Sequence, residues 1–181
     1  KKEYDRFIEY LRFYNIKNLL KSYRKALLYN SSSLKISEFF ERELNSAFRS
    51  YKVGDFATSR LQFQDIYNSY KPFYKNNLDE ILFLWAESNF GLRFFSEARE
   101  LYHKIIIEYP ISNRVSIAAY RIIFMDYVYG NSTKFLSDFN KYKNILEKDK
   151  KIWNKALLIG LTSGDLWDVI NKGIAISRNF K

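Results

Sequence analysis

An all-α fold is predicted by three observations. Apolar residues recur at helical spacing along most of the chain, strands alternating apolar and polar residues are missing, and six Gly and two Pro in 181 residues are too few for a sheet protein with many tight turns. Packing material is plentiful, because sixteen Phe, fifteen Tyr and three Trp make the chain 19% aromatic, and each covered ring buries on the order of 150–250 Å².

The elements follow in order. Phe7, Ile8, Leu11 and Tyr14 form an i, i+1, i+4, i+7 stripe, which predicts a helix over 3–14. After Asn15 the stripe Leu19, Leu20, Tyr23, Leu27 and Leu28 predicts a partner over 16–29, and Ser31-Ser32-Ser33 breaks the pattern. Gly54-Asp55-Phe56 is a turn between helices at 36–52 and 55–70; Ala47 and Tyr51 precede it, and Ser59, Phe63 and Ile66 follow. The next pair, 77–92 and 95–109, carries Ala86 and Phe90 before its turn, then Ala98, Tyr102 and Ile105. Pro110 cannot continue the second of these helices and stops it. A third such unit, 113–129 and 132–147, has Tyr127 and Gly130 before the turn, then Phe135, Phe139 and Tyr142. Ile152, Trp153, Ala156, Leu157 and Ile159 predict a helix over 151–162. Ser163-Gly164-Asp165 is a turn, with Asp165 as N-cap of a last helix over 165–178.

The recurrence has a fixed spacing. Ser59 to Ala98 and Phe63 to Tyr102 both span 39 residues (98 − 59, 102 − 63). A small residue lets another helix approach its backbone, and the aromatic one turn later fills the same face. Trp85 and Ala86 supply a large-small pair upstream.

On Trp85, Ala86, Ala98, Tyr102 and Pro110 the segment 79–110 resembles the tetratricopeptide (TPR) repeat family, and the resemblance extends less faithfully over 40–147. The family repeat is 34 residues, so the longer spacing implies longer helices or a longer link around Pro72–Asn77. Phe135 stands where the family has a small residue, which implies that the third unit opens or packs differently. Membership would imply one domain over 1–181, a right-handed α-solenoid of about five antiparallel helix pairs, with the first helix of each pair lining a concave face. It would also imply a non-catalytic protein–protein interaction module, with bacterial envelope, secretion and flagellar-motor scaffolds as analogous settings.

Composition bounds the other classes. No run approaches the ~18 uncharged apolar residues of a membrane span. The most apolar stretch, Ile117 to Tyr129, is broken by Arg121 and Asp126. Cys is absent, which excludes disulfides and thiolate metal sites and fits periplasm as well as cytoplasm, the periplasm being slightly favoured. The start at Lys1-Lys2-Glu3 without Met suggests a mature form or a piece of a longer protein, and the excess of Lys, Asn, Ile, Phe and Tyr suggests an AT-rich bacterial genome.

The net charge of +10 is uneven: residues 1–30 hold eight basic and three acidic side chains, 31–133 twelve of each, 134–155 seven and three, and 156–181 three and two. Lys17, Lys21, Arg24 and Lys25 form one helical stripe, and Lys141, Lys143, Lys148, Lys150, Lys151 and Lys155 crowd the junction of the last two pairs. The simplest reading is a solvated face that keeps an aromatic-rich protein soluble. Docking of an acidic protein, or nucleic acid or anionic lipid binding through the basic ends, are the alternatives.

Chemistry-bearing groups are sparse. His103, the lone histidine, reads as a partly exposed surface residue with Glu100 and Glu108 within reach in sequence; one His without Cys makes a poor ligand set. The carboxylate pairs Asp79/Glu80, Glu97/Glu100 and Asp165/Asp168 read as helix-terminus and solvent-face residues. No phosphate-binding Gly-rich loop and no Gly-x-Ser-x-Gly is present. Neither an enzyme nor a cofactor or metal is expected. The resemblance places the binding groove on Leu44, Phe48, Tyr51 and Lys52, on Glu80, Phe83, Glu87 and Phe90, and on Ile117, Tyr120, Phe124 and Tyr127. That lining is aromatic and nearly uncharged, suited to an amphipathic helix or an extended apolar segment, with Lys52 and Glu87 as orienting rim charges.

Overall fold

The computed structural model describes residues 33–71 and 78–163. The expected helices at 3–14, 16–29 and 165–178, the basic stripe Lys17, Lys21, Arg24 and Lys25, the pair Asp165/Asp168 and the link at 72–77 lie outside the described residues. Within them the chain forms seven α-helices and no strand: α1 Ser33–Lys52, α2 Phe56–Tyr70, α3 Leu78–Gly91, α4 Phe95–Glu108, α5 Val115–Val128, α6 Ser132–Leu146 and α7 Lys150–Ser163. Each helix packs against the next in sequence, and α7 also reaches α5.

Three hairpins, α1–α2, α3–α4 and α5–α6, close with one turn design. The Gly54 N–H donates to the Tyr51 carbonyl at 3.0 Å and the Asp55 N–H to Ser50 at 3.0 Å. The same pair of bonds recurs from Arg93 to Phe90 and Phe94 to Asn89 (3.0 and 2.9 Å), and from Gly130 to Tyr127 and Asn131 to Asp126 (2.9 and 3.0 Å). This is the Schellman arrangement, which satisfies the last carbonyls of a helix by turning one residue left-handed. That residue has φ 80° at Gly54, 62° at Arg93 and 65° at Gly130. The residue after it caps the next helix: Asp55 Oδ1 accepts from the Thr58 N–H at 3.1 Å and Asn131 Oδ1 from the Lys134 N–H at 3.0 Å.

The middle turn departs from its neighbours at both positions. Arg93 takes the left-handed conformation that Gly holds in the other two, at a cost of about 1 kcal/mol. Phe94 stands at the cap position without a side-chain bond to the helix, forgoing about 1 kcal/mol that Asp or Asn would contribute.

Small residues sit where helices approach closely. Ala47, Ala86 and Ala98 are fully buried, and Ser59 meets Ser88 of α3 at 2.9 Å, Oγ to Oγ. Phe63, Ile66, Tyr67 and Tyr70 of α2 and Leu101, Tyr102 and Ile105 of α4 fill the layers between them. Phe135 does not open the third hairpin. It is fully buried with its ring 6.0 Å from that of Phe139, which in turn lies 5.6 Å from Trp153 of α7. Tyr109 closes α4 on the Ile105 carbonyl at 3.0 Å, directly before Pro110. Arg99 joins three elements: its guanidinium binds Asp126 and the Ile122 carbonyl (3.3 Å) of α5 and Asp138 (2.7 Å) of α6. Burial raises the Asp126 pKa.

Ala98→Leu is expected to lower stability by about 1–3 kcal/mol through overpacking of a closed crossing. Gly91→Ala is expected to destabilise as well, because a Cβ there would sit 2.6 Å from Cδ2 of the Phe56 ring. Arg93→Gly should act in the opposite sense, adding about 1 kcal/mol. Thermal and urea unfolding of the three variants check all of these signs.

Candidate functional site

The first helices of the three hairpins carry rings in two groups, one around α1 and one that joins α3 to α5. On α1, Phe48 packs edge-on against Phe63 at 5.8 Å, and Tyr51 against Phe56 at 5.6 Å and Phe63 at 6.4 Å. On α3, Phe90 meets Phe95 at 5.4 Å and crosses to Phe124 of α5 at 6.0 Å. Phe124 continues to Tyr120 at 6.0 Å and Tyr127 at 6.4 Å. Phe48, Tyr51, Phe90, Tyr120 and Phe124 are half-buried, and Tyr127 is 38% exposed. The rings lie on a core yet keep a face toward solvent, because each occupies the flank of its helix beside the small residue at the crossing.

Two ion pairs run through this series as rungs. Arg114 Nη2 holds Glu80 at 2.7 Å, and Arg121 grips Glu87 with both Nε (2.8 Å) and Nη2 (2.7 Å). Each pair spans 34 residues (114 − 80, 121 − 87), and the rungs stand two helical turns apart. Each guanidinium also covers a ring one turn along, Arg114 over Phe83 at 5.3 Å and Arg121 over Phe90 at 4.6 Å. The Tyr102 hydroxyl donates to Glu87 Oε1 at 2.5 Å. Burial, then the Glu87 charge, raises the pKa of Tyr102 far above its ordinary value; the same two causes in the same order raise Tyr51, and burial raises Tyr120. All three stay neutral phenols at physiological pH.

Two residues expected in the groove are therefore placed differently. Glu87 is not a rim charge: it is buried, and its two oxygens accept three bonds that lock α3 to α4 and α5. Phe83 is buried at 6% exposure between Tyr102 (6.0 Å) and Arg114. Lys52 is exposed. Leu44 and Ile117 are half-buried against the core. Sequence reasoning missed Arg114 and Arg121, although a 34-residue offset to Glu80 and Glu87 was present to be found. The lining is consequently not nearly uncharged.

Other candidates sort plainly. Asp79 accepts from Ser112 Oγ, and with Glu80, Ile111, Asn113 and Arg114 it lines a cleft of about 380 Å³. Glu97 and Glu100 are exposed. His103 does not turn to Glu100 or Glu108; it is half-buried, with Nδ1 2.8 Å from the Tyr142 hydroxyl. Burial, then Lys141 and Arg99, holds its pKa below the ordinary 6.5. Lys148, Lys150, Lys151 and Lys155 are exposed around the start of α7, where Asp149 Oδ1 accepts from the Lys151 and Ile152 N–H groups at 2.9 and 3.2 Å. Among the described residues no group of His, Cys, Asp and Glu could hold a metal ion, and no helix is long and apolar enough to cross a membrane.

No family model, curated protein or solved structure matches the chain.

Breaking the central rung with Glu87→Gln, which strands Arg121, is expected to cost about 3 kcal/mol. His103 gives a pH signature. Its folded pKa is depressed, so its contribution to stability is present above the ordinary 6.5 and lost as pH falls through the lower folded value. Unfolding free energies of the parent and His103→Gln across that window should converge toward acid pH.

Proposed function

We propose that the chain is a TPR-like right-handed α-solenoid acting as a non-catalytic protein–protein interaction scaffold, and that a helix or extended apolar segment of another protein lies across α1, α3 and α5. Half-buried rings on all three first helices, Tyr51 on α1 and the run from Phe90 through Phe124 to the exposed Tyr127 on α3 and α5, carry this reading. Rings held by ring contacts underneath and open to solvent above lose little conformational entropy on binding, which is what interface anchors require. The Glu87–Arg121 rung supports the same reading. It ties α3 to α5 and sets the Arg121 guanidinium over one face of Phe90 at 4.6 Å, so that ring is held in place with its other side free to contact a partner. Sequential packing of helix hairpins and the repeated turn support the solenoid. A bacterial envelope or flagellar-motor assembly is the setting proposed by analogy.

Single Ala substitutions at Tyr51, Phe90, Tyr120, Phe124 and Tyr127, each with a measured unfolding curve, test the site against a partner recovered by affinity purification. Tyr127→Ala should leave stability within about 0.5 kcal/mol and weaken the partner about thirtyfold, or ~2 kcal/mol. Phe83→Ala should instead cost about 3–5 kcal/mol of stability. Unchanged affinity in all five ring variants would remove the site from this face.

A further inference from the structure

The three Schellman turns stand side by side along one edge. Phe56, which follows the first turn, is packed on Gly91 at the end of α3. Arg60 of α2 lies over Phe94 of the second turn at 5.3 Å, and Phe95 meets Tyr129 of the third at 5.4 Å. Apolar side chains protrude at every turn along this edge: Val53 is 80% exposed, Phe94 43%, Val128 52% and Tyr129 65%. Cations stand between them, since Lys52, Arg93 and Lys134 are exposed and none of them makes an ion pair among the described residues. Two carboxylates are nearby. Both are exposed, Asp55 at the cap of α2 and Glu97 in the first turn of α4, so the three cations are partly offset. The first turns of α2 and α6 hold no acid.

The middle turn is the informative one. Its neighbours use Gly followed by Asp or Asn, the residues that the turn geometry favours. Here Arg93 and Phe94 replace them, both exposed and both at the expense of the turn. Two adjacent departures from the local rule, in the centre of an apolar and cationic edge, mark a contact surface. We infer that this edge docks on an anionic lipid bilayer, with Val53, Phe94, Val128 and Tyr129 entering the interface and Lys52 and Arg93 meeting lipid phosphates. Protruding aromatic and aliphatic tips interleaved with cations, spread along one edge instead of around a pocket, suit a broad charged surface better than a single peptide. The inference does not rest on partner binding across α1, α3 and α5, although Lys52 borders both surfaces and Tyr129 packs on Phe95 beside Phe90.

The test is flotation of the full chain with vesicles of phosphatidylcholine alone and with roughly 30% phosphatidylglycerol. Binding is expected to the anionic vesicles and should weaken as salt rises from roughly 50 to 200 mM. The double variant Arg93→Gly/Phe94→Asn restores the residues that the flanking turns use. It should therefore unfold at a higher temperature than the parent while binding anionic vesicles at least fivefold more weakly. Lys150→Gln/Lys151→Gln/Lys155→Gln, at the start of α7, should bind as the parent does. Absence of binding to anionic vesicles at low salt would overturn the inference. So would a double variant that floats like the parent, loss of binding confined to the α7 lysines, or a protein partner that depends on Arg93 and Phe94 when vesicles are not bound.

Discussion

A helix hairpin requires some residue to leave right-handed space and let the last carbonyls of one helix find donors before the next helix starts. In this chain that requirement falls on residues 54, 93 and 130, and the rest of the architecture inherits its dimensions from them. Because the residue after each is also the first cap of the following helix, the two helices are joined with almost no loop. Short joints leave little freedom in how α1 meets α2, or α3 meets α4. The small residues at 47, 59, 86 and 98 can then serve as close crossings without a search for register.

Much of this was legible in the amino-acid sequence, because steric demands leave narrow residue choices. Gly54 and Gly130 mark two turns, Pro110 marks an end, and the spacing from Ser59 to Ala98 marks the repeat. Among the described residues the helix bounds followed within three residues. The second turn was harder, since Arg93 carries no signal for a left-handed backbone; it emerges only by aligning position 93 with 54 and 130. The site was legible in composition and illegible in wiring. Which rings are covered depends on where Arg114 and Arg121 swing, and a long side chain that can reach either solvent or a neighbouring helix has no periodicity of its own. Glu87 looked like a surface charge for that reason. Its burial is a property of the pair it makes with Arg121, not of its position on the helix.

The polar groups in the interior share one theme. Tyr102 takes up an oxygen of Glu87, Ser59 meets Ser88, and Arg99 answers Asp126. Burial imposes a desolvation penalty on each of these three, and each is held by a partner on a different helix, whereas the buried Asn89 side chain bonds only the Trp85 carbonyl of its own helix. Rings alone would permit neighbouring helices to slide by a turn. These bonds allow one register, which is what a surface built from several helices needs if its rings are to keep fixed distances from one another.

Arg99 has a kinetic consequence. Helices that touch mainly their sequence neighbours form by local closure, and a stack of them can begin to fold at several places and fray from its ends. A single guanidinium bonded to α5 and α6 from α4 interrupts that fraying. Loss of α7 or α1 can proceed while the middle of the stack stays intact, but opening either side of Arg99 leaves a carboxylate without its counter-charge. Among the described helices the stack therefore has a cooperative centre, α3 to α6, tied by Arg99 and by the Glu87–Arg121 pair. Its amide protons are expected to exchange later than those of α1, α2 and α7.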